Sequence, residues 1–197
     1  MRFSVHTAGG APQRAPCDLA ARTTLYNMTT AHFLDTMSLS MSPKLYQFAI
    51  PTEVLERGFW LYVWQVDLRD ETAVYYVGRT GDSSSLKAQS PFSRVSAHLG
   101  PNKHANALRR HLDKNGIAFD DCERLELVTF GPLYPEADNL PDHNDRRDKT
   151  HALESKLCRA MAQNYKVLNT VECRKEADPA MWQSVQSAFA RRFKLLH

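Results

Sequence analysis

The chain has 197 residues, of which 43% are hydrophobic and 24% are charged. These values are typical of one globular domain with extensions or of two small domains, and they exclude a largely disordered chain or a fibre. The net charge of +3 is too small to indicate a nucleic-acid partner by itself. It is uneven, however, with +2 over residues 1–50, −4 over 51–148 and +5 over 149–197. A basic end gives weak support for a polyanionic partner.

The sequence contains no segment that predicts contact with a membrane. The longest apolar run, Phe59 to Trp64, has six residues, whereas a bilayer requires about 20. The first residues show no secretory signal pattern. The four cysteines, Cys17, Cys122, Cys158 and Cys173, form no CxxC pair and are too few for a disulfide scaffold. We therefore expect a reduced, cytoplasmic protein without a membrane partner.

The beginning of the chain has weak patterns. Residues 1–17 contain two glycines, two prolines and no periodicity, which predicts a flexible arm. Residues 18–58 carry scattered apolar side chains that fit one or two short helices, so we expect a helical extension. We assign residues 59–175 to the main domain and residues 176–197 to a C-terminal helix packed on its core.

Three segments predict strands. Phe59 to Val66 and Val74 to Gly78 are dense in aromatic and β-branched residues. The short polar turn between them makes this pair a hairpin. Leu125 to Phe130 has the same composition and predicts the third strand.

Helices are predicted between and after these strands. Pro91 to Leu99 follows a Ser90 cap, and Asn102 to Asn115 precedes Gly116. Gly131 to Asp148 has three prolines and five acidic residues, so we expect a loop there, followed by a helix from Thr150 to Asn164. A last helix begins after Asp178. The order predicts an α+β fold, with a small, mostly antiparallel three-stranded sheet flanked by helices.

Two tyrosine motifs lie on the predicted hairpin. Trp60-Leu61-Tyr62 is in the first strand, and Tyr76-Val77-Gly78 ends the second. Further motifs follow in the order Thr80, Arg94-xxx-His98, a helix with Glu154, and Leu168-Asn169. Arg94 and His98 are four residues apart and therefore project from one face of their helix.

This succession resembles the GIY-YIG nucleases, which have two tyrosine motifs, an Arg-xxx-His helix, a glutamate helix and a closing asparagine in the same order. The resemblance runs from about Phe59 to Asn169, a little over half of the chain. It implies the fold of that family and a metal-dependent endonuclease. Trp60 stands where the first motif of the family has glycine, and this departure points towards a divergent or inactive member.

Hydrolysis of a phosphodiester requires deprotonation of the attacking water, neutralisation of charge on the phosphate and stabilisation of the leaving oxygen. Tyr62 is our candidate for the base or the water-orienting group, provided that a nearby cation lowers a phenol pKa of about 10. Tyr76 would hydrogen-bond a phosphate oxygen or the water. Arg94 suits two phosphate oxygens because its guanidinium is permanently charged and forked. His98 is a candidate for orienting the water or protonating a neighbouring group.

Glu154 is the candidate metal ligand. It lies about 60° from Leu157 on a helical wheel, at the margin of the apolar face, where a carboxylate is costly unless a cation compensates it. One Mg²⁺ held by a single carboxylate, phosphate oxygens and waters would do so. The resemblance implies the same single-metal role for Glu154, and Mn²⁺ is the expected substitute. Asn169 would join the ends of the site through hydrogen bonds.

Five further residues are candidates for contacts to phosphate or DNA, namely Arg79, Thr80, Lys103, Arg109 and Arg110. We therefore predict a compact GIY-YIG-type deoxyribonuclease, resembling restriction enzymes, that hydrolyses double-stranded DNA with Mg²⁺ by attack of water. A homodimer is left open.

Other interpretations compete with this prediction. A nucleic-acid-binding or interaction module could keep the same fold without turnover. The tyrosines could be core aromatics, Arg94 and His98 a solvated helix face, and Glu154 a surface ion pair. A transition-metal cluster could form from the neighbouring residues His143, Asp145, Asp148, His151 and Glu154.

Overall fold

Three strands form where aromatic and β-branched side chains are densest. In the computed structural model, which describes residues 43–100 and 106–195, β1 spans Gly58–Leu68, β2 spans Ala73–Arg79 and β3 spans Cys122–Pro135. Both strand pairs are antiparallel, and the order across the sheet is β2-β1-β3. Tyr62 of β1 therefore lies opposite Gly78 of β2, which brings the two predicted tyrosine motifs side by side.

Four helices flank this sheet, and side-chain caps fix where each begins. They are α1 (Pro91–Leu99), α2 (Ala107–Lys114), α3 (Leu140–Ala162) and α4 (Pro179–Ala190). Ser90 and Asp178 cap α1 and α4 by accepting backbone hydrogen bonds from Ser93 and Met181, as the sequence predicted. The α+β class and the small antiparallel sheet are confirmed.

The predicted loop from Gly131 to Asp148 is wrong. Residues 131–135 continue β3, and α3 already begins at Leu140 instead of Thr150. Prolines caused both errors. Pro132 and Pro135 are tolerated because β3 is an edge strand, and Pro141 falls in the first turn of α3, where no backbone donor is lost.

The predicted start of the second helix is also wrong where the structure describes it. Asn106 has φ −100° and ψ 101°, and its side chain accepts a hydrogen bond of 3.0 Å from the Arg109 amide. It therefore caps α2, which begins at Ala107 and ends at Lys114. Residues 102–105 of that prediction lie outside the described residues, and Lys103 is one of them.

The two faces of the sheet are buried by different helices. Side chains that alternate along β1 and β2 point to opposite faces. Leu61, Val63 and Val77 pack with residues of α3 and α4, including Leu157 and Phe189. On the other face, the buried cluster contains the following residues of the sheet and of α2: Tyr62, Trp64, Val66, Val74, Tyr76, Leu108 and Leu112.

All these elements lie in residues 49–197, which form a compact unit separate from residues 1–48. The predicted arm, residues 1–17, and residues 18–42 of the predicted extension lie outside the described part of the chain. Residues 43–58 hold one short 3₁₀ helix, Thr52–Leu55, and the first residue of β1. Within 43–100 and 106–195, we find no helix with the length and hydropathy that a bilayer crossing requires.

Candidate active site

A cavity of about 100 Å³ lies at the end of β2, where the hairpin, α1 and α3 meet. This volume matches about three water molecules or one phosphate group. The cavity is lined by the following residues from both strands, the following loop and three helices: Tyr62, Tyr76, Arg79, Asp82, Arg94, His98, Ala107 and Glu154. Six of these eight were predicted site residues, and they come from segments as far apart as β1 and α3.

Tyr62 reaches the cavity by crossing the backbone of Gly78. The two residues are paired between β1 and β2, and a Cβ on Gly78 would lie 2.5 Å from the Tyr62 hydroxyl oxygen. Glycine in the second motif is therefore required by the tyrosine of the first. Burial raises the pKa of Tyr62 well above its usual value, and the charge of Arg94 opposes this shift only in part.

His98 is the hydrogen-bond partner of Tyr62. Its Nε2 lies 3.3 Å from the Tyr62 hydroxyl oxygen, and the side chain is buried. Burial, helped by the charge of Arg94, lowers the pKa of His98 to about 4. The imidazole is therefore neutral at physiological pH, and Nε2 accepts the phenol proton when Nδ1 carries the ring proton.

Tyr76 lies on the same face of the hairpin between two histidines. Its ring centroid is 5.5 Å from that of His98 and 5.3 Å from that of His111. Burial raises the pKa of Tyr76 to about 12, so its hydroxyl remains a hydrogen-bond donor. His111, which was not predicted, is held by its Nδ1, 3.2 Å from the carbonyl oxygen of Leu168.

Arg94 enters the cavity from α1. Its guanidinium forms an ion pair with Asp82 and donates a hydrogen bond of 3.3 Å to the Arg79 carbonyl oxygen. Its Nε is buried without a hydrogen-bond partner among the described residues. An unpaired donor at a buried guanidinium is costly.

Glu154 enters from α3 and faces Arg79. The Arg79 Nε donates a hydrogen bond of 2.8 Å to Glu154 Oε2, and the two side chains are only 13% and 11% exposed. Burial raises the pKa of Glu154 to about 7, although Arg79 opposes the shift. Arg79, predicted as a phosphate contact, and Glu154, predicted as the metal ligand, thus form an ion pair, while Oε1 of the glutamate has no hydrogen-bond partner among the residues that the structure describes.

Asn169 lies beside the cavity and does not line it. Its side chain pairs with one residue of β2, accepting from the Val77 amide at 3.1 Å and donating to the Val77 carbonyl at 2.8 Å. Backbone bonds between Tyr75 and residues 166 and 168 continue this pairing. Asn169 was predicted to join the ends of the site through hydrogen bonds. In the structure its hydrogen bonds go to the edge of β2, the strand that carries Tyr76 and Arg79.

Thr80, a predicted phosphate contact, has a different role. Its hydroxyl donates to the Gly58 carbonyl oxygen and accepts from the Trp60 amide at 2.5 and 2.8 Å, and the residue is fully buried. It therefore joins the ends of β1 and β2 and has no surface to offer to DNA.

Two predicted DNA contacts of α2 lie outside the cavity. Arg109 is half-buried with its guanidinium 4.0 Å from the centre of the Phe119 ring, whereas Arg110 is exposed. The stacking holds Arg109 against the protein, so Arg110 is the better placed of the two to meet a phosphate backbone.

Trp60, the departure from the first motif, lies outside the cavity lining. Its side chain is buried against Gly131, where an added Cβ would lie 2.8 Å from the indole, and its Nε1 donates to the Glu56 carbonyl oxygen at 3.2 Å. The tryptophan therefore fills a packing position and leaves the cavity open.

The alternative transition-metal cluster is not formed. Nε2 of His143 lies 2.9 Å from the Ser83 carbonyl oxygen, while Asp145 and Asp148 form ion pairs with Lys149 and Lys175. In residues 43–100 and 106–195 there is no group of three His, Cys, Asp or Glu side chains suited to a metal ion.

The cavity does fit the predicted Mg²⁺. Its two carboxylates are oxygen ligands of the kind that suits a hard cation, and Glu154 Oε1 has no hydrogen-bond partner in residues 43–100 and 106–195. Mg²⁺ is commonly held by one or two carboxylates while waters and substrate phosphates complete its coordination. Glu154 would hold the ion, whereas Asp82, the second carboxylate of the cavity, is paired with Arg94.

Asp82 is the functional residue that the sequence analysis missed. Gly81-Asp82 has an ordinary turn composition, and only the tertiary structure brings this carboxylate to Arg94. Comparison of the chain with protein-family models, with curated proteins and with solved structures found no match. The function is therefore inferred from the residues of the cavity and from the resemblance of their motifs.

Proposed function

We propose that the protein is a divalent-cation-dependent endonuclease that hydrolyses phosphodiester bonds of double-stranded DNA by attack of water. The observation that carries this proposal is the convergence of Tyr62, Arg94 and Glu154 on one cavity with room for a phosphate group. Each comes from a different element, and together they provide the three functions that hydrolysis requires. The resemblance to the GIY-YIG nucleases supports the same reaction.

The proton of the attacking water has a short path through the site. Tyr62 has a raised pKa and is a poor base by itself. Its hydroxyl can accept the water proton while it gives its own proton to His98 Nε2, which lies 3.3 Å away. The oxygen of water then forms its bond to phosphorus while the ester bond to the leaving oxygen breaks, and His98 passes the proton on to solvent, from which the leaving oxygen takes one up.

The remaining residues act on the phosphate. Arg94 donates to its non-bridging oxygens, and the Tyr76 hydroxyl donates to the same group. Arg79 orients Glu154, which would hold Mg²⁺ or Mn²⁺. When bound, the cation neutralises charge that develops on the phosphate and on the leaving oxygen.

The exposed Arg110 on α2 and the basic C-terminal segment are candidate contacts for the DNA backbone. We expect the enzyme to act in the cytoplasm. Cleavage of both strands at one position would require two active sites, which is the reason to expect a homodimer.

A binding module without turnover is the second candidate function, and Trp60 favours it because it replaces the first glycine of the family motif. In that case the cavity would bind a phosphate without cleaving the ester. The packing of Trp60 outside the cavity weakens this alternative.

Incubation of the purified protein with supercoiled plasmid and with mixed linear duplexes tests the proposal. Nicked or linear products in Mg²⁺ or Mn²⁺, and none in EDTA, are the expected result. End-mapping of the products identifies the bond that is cut, and sedimentation of the protein with DNA reports a dimer. DNA binding without any product in either cation would support the binding module instead.

A further inference from the structure

Asp82 has no role in the proposed reaction, although it lines the same cavity as Tyr62 and Glu154. Its carboxylate forms an ion pair with Arg94, the residue that would grip the phosphate. About half of the Asp82 side chain is exposed, so water could solvate this carboxylate without a protein partner. Its contact with Arg94 therefore calls for a functional explanation.

The loop that carries Asp82 is held firmly on both sides of the residue. Gly81 has φ +72°, and a side chain there would clash with the ring of Phe59. Ser83 is fixed by its carbonyl oxygen, which accepts a hydrogen bond of 2.9 Å from His143 Nε2. The carboxylate between these two points is thus positioned in advance, as a residue of a binding site is.

Among the described residues, the charges of the cavity cancel when the substrate is absent and the Glu154 carboxyl is ionised. Two guanidiniums, Arg79 and Arg94, face two carboxylates, Glu154 and Asp82. Tyr62 and His98 add no charge at neutral pH because burial raises the pKa of the phenol and lowers that of the imidazole to about 4. A phosphodiester alone would leave an uncompensated negative charge beside side chains that, apart from Asp82, are largely buried, which is costly.

A divalent cation changes this balance. When the cation and the phosphodiester enter together, the cavity gains one positive charge. During water attack the phosphate acquires a second negative charge, and the cavity becomes neutral once the proton of the water has left it. Without the Asp82 carboxylate, the free cavity would already carry one positive charge and would accept a phosphodiester without any cation.

We propose that Asp82 couples the two ligands of the site: by cancelling the charge of Arg94, it makes binding of a nucleic-acid phosphate depend on a divalent cation. This inference rests on the function proposed above and adds a positioning residue to it. Asp82 acts through Arg94 and through the total charge of the cavity.

The test measures binding instead of cleavage. The affinity of the full chain for a short fluorescent DNA duplex is measured by anisotropy in Ca²⁺ and in EDTA at equal ionic strength. Asp82→Asn keeps the shape of the side chain and removes its charge, and Asp82→Glu restores the charge. Asp138→Asn is the matched control, because Asp138 is exposed and has no hydrogen bond or ion pair with another described residue.

We expect Ca²⁺ to strengthen binding about tenfold or more for the unaltered protein, Asp138→Asn and Asp82→Glu, which corresponds to a coupling of at least about 1.4 kcal/mol. For Asp82→Asn, binding in EDTA should become about tenfold tighter and the effect of Ca²⁺ should largely disappear. A melting curve checks that this variant is folded.

An unchanged effect of Ca²⁺ in Asp82→Asn overturns the inference, and so does unchanged or weaker binding of this variant in EDTA. If the unaltered protein cleaves DNA while Asp82→Asn gives either of these two results, the proposed function stands and the coupling role of Asp82 is wrong. If the unaltered protein neither binds nor cleaves DNA, both proposals are overturned.

Discussion

The two faces of the sheet use the same strands for different purposes. Towards α3 and α4, residues such as Leu61, Val63 and Val77 pack in an apolar cluster, and the Arg79–Glu154 pair lies between β2 and α3 beside the cavity. Towards α1 and α2, the residues between them include Tyr62 and Tyr76, whose hydroxyls lead into the cavity. Alternation along a strand is the physical cause, because consecutive side chains point to opposite faces.

The difference indicates on which face a substitution should lower the stability of the fold and on which face it should lower the rate of cleavage. The apolar face gains free energy from burial and close packing. The other face contains buried polar groups that are only partly hydrogen-bonded, such as His98 and Arg94, and these weaken the fold. A binding site commonly accepts such a cost because the missing partners come with the ligand.

The largest expected effect is that of Glu154→Ala. Loss of the only carboxylate that α3 contributes to the cavity should reduce Mg²⁺-dependent cleavage by at least about a thousandfold, since the cation supplies several kcal/mol of charge stabilisation. DNA binding should survive. Rates are compared with those of Glu176→Ala, an exposed glutamate, and of Glu154→Gln, which keeps a partner for Arg79. Full cleavage by the alanine variant would rule out Glu154 as the metal ligand.

Phe189→Ala tests the apolar face. Phe189 is 1% exposed and packs against Phe130 and Phe193, so the variant should lose about 3–5 kcal/mol of unfolding free energy. Urea denaturation measures this loss. Cleavage per folded molecule should be unchanged at low temperature, and a large loss of rate in fully folded protein would contradict the division between the faces.

Tyr62→Phe makes the converse test on the polar face. Removal of the hydroxyl that contacts His98 Nε2 should lower the cleavage rate about a hundredfold or more, while the unfolding free energy falls by about 1–3 kcal/mol because the buried His98 Nε2 loses its partner. Tyr75→Phe, on the apolar face of the same hairpin, should leave the rate unchanged. A near-normal rate for Tyr62→Phe would exclude this residue from proton transfer.

The smallest expected effect is the pH dependence of cation binding. Burial raises the pKa of Glu154 to about 7, so the carboxyl is protonated below that pH and a proton competes with the cation. The apparent affinity for Mn²⁺ should fall about tenfold between pH 8 and pH 6. Calorimetric titration at both values measures it, with Glu154→Gln as the control. An unchanged affinity would show that Glu154 does not bind the ion.

The sequence predicted well the features that depend on neighbouring residues. Caps at Ser90 and Asp178 gave the starts of α1 and α4, and dense aromatic residues gave β1 and β2. The sequence predicted secondary structure less well where a helix cap and burial outweighed the local composition. The acidic, proline-containing segment before Thr150 forms two turns and more of α3, because Asn139 caps the helix and His143 packs in the interior.

The sequence by itself determined the order of strands and helices and most of the chemical groups in the cavity, since the motif residues occur at fixed positions along these elements. Only the tertiary structure decided which of these groups meet. It joined Arg79 to Glu154, placed Thr80 in the interior and brought Asp82 to Arg94. These contacts link residues separated by 12 to 75 positions, and local propensity carries no information about such distances.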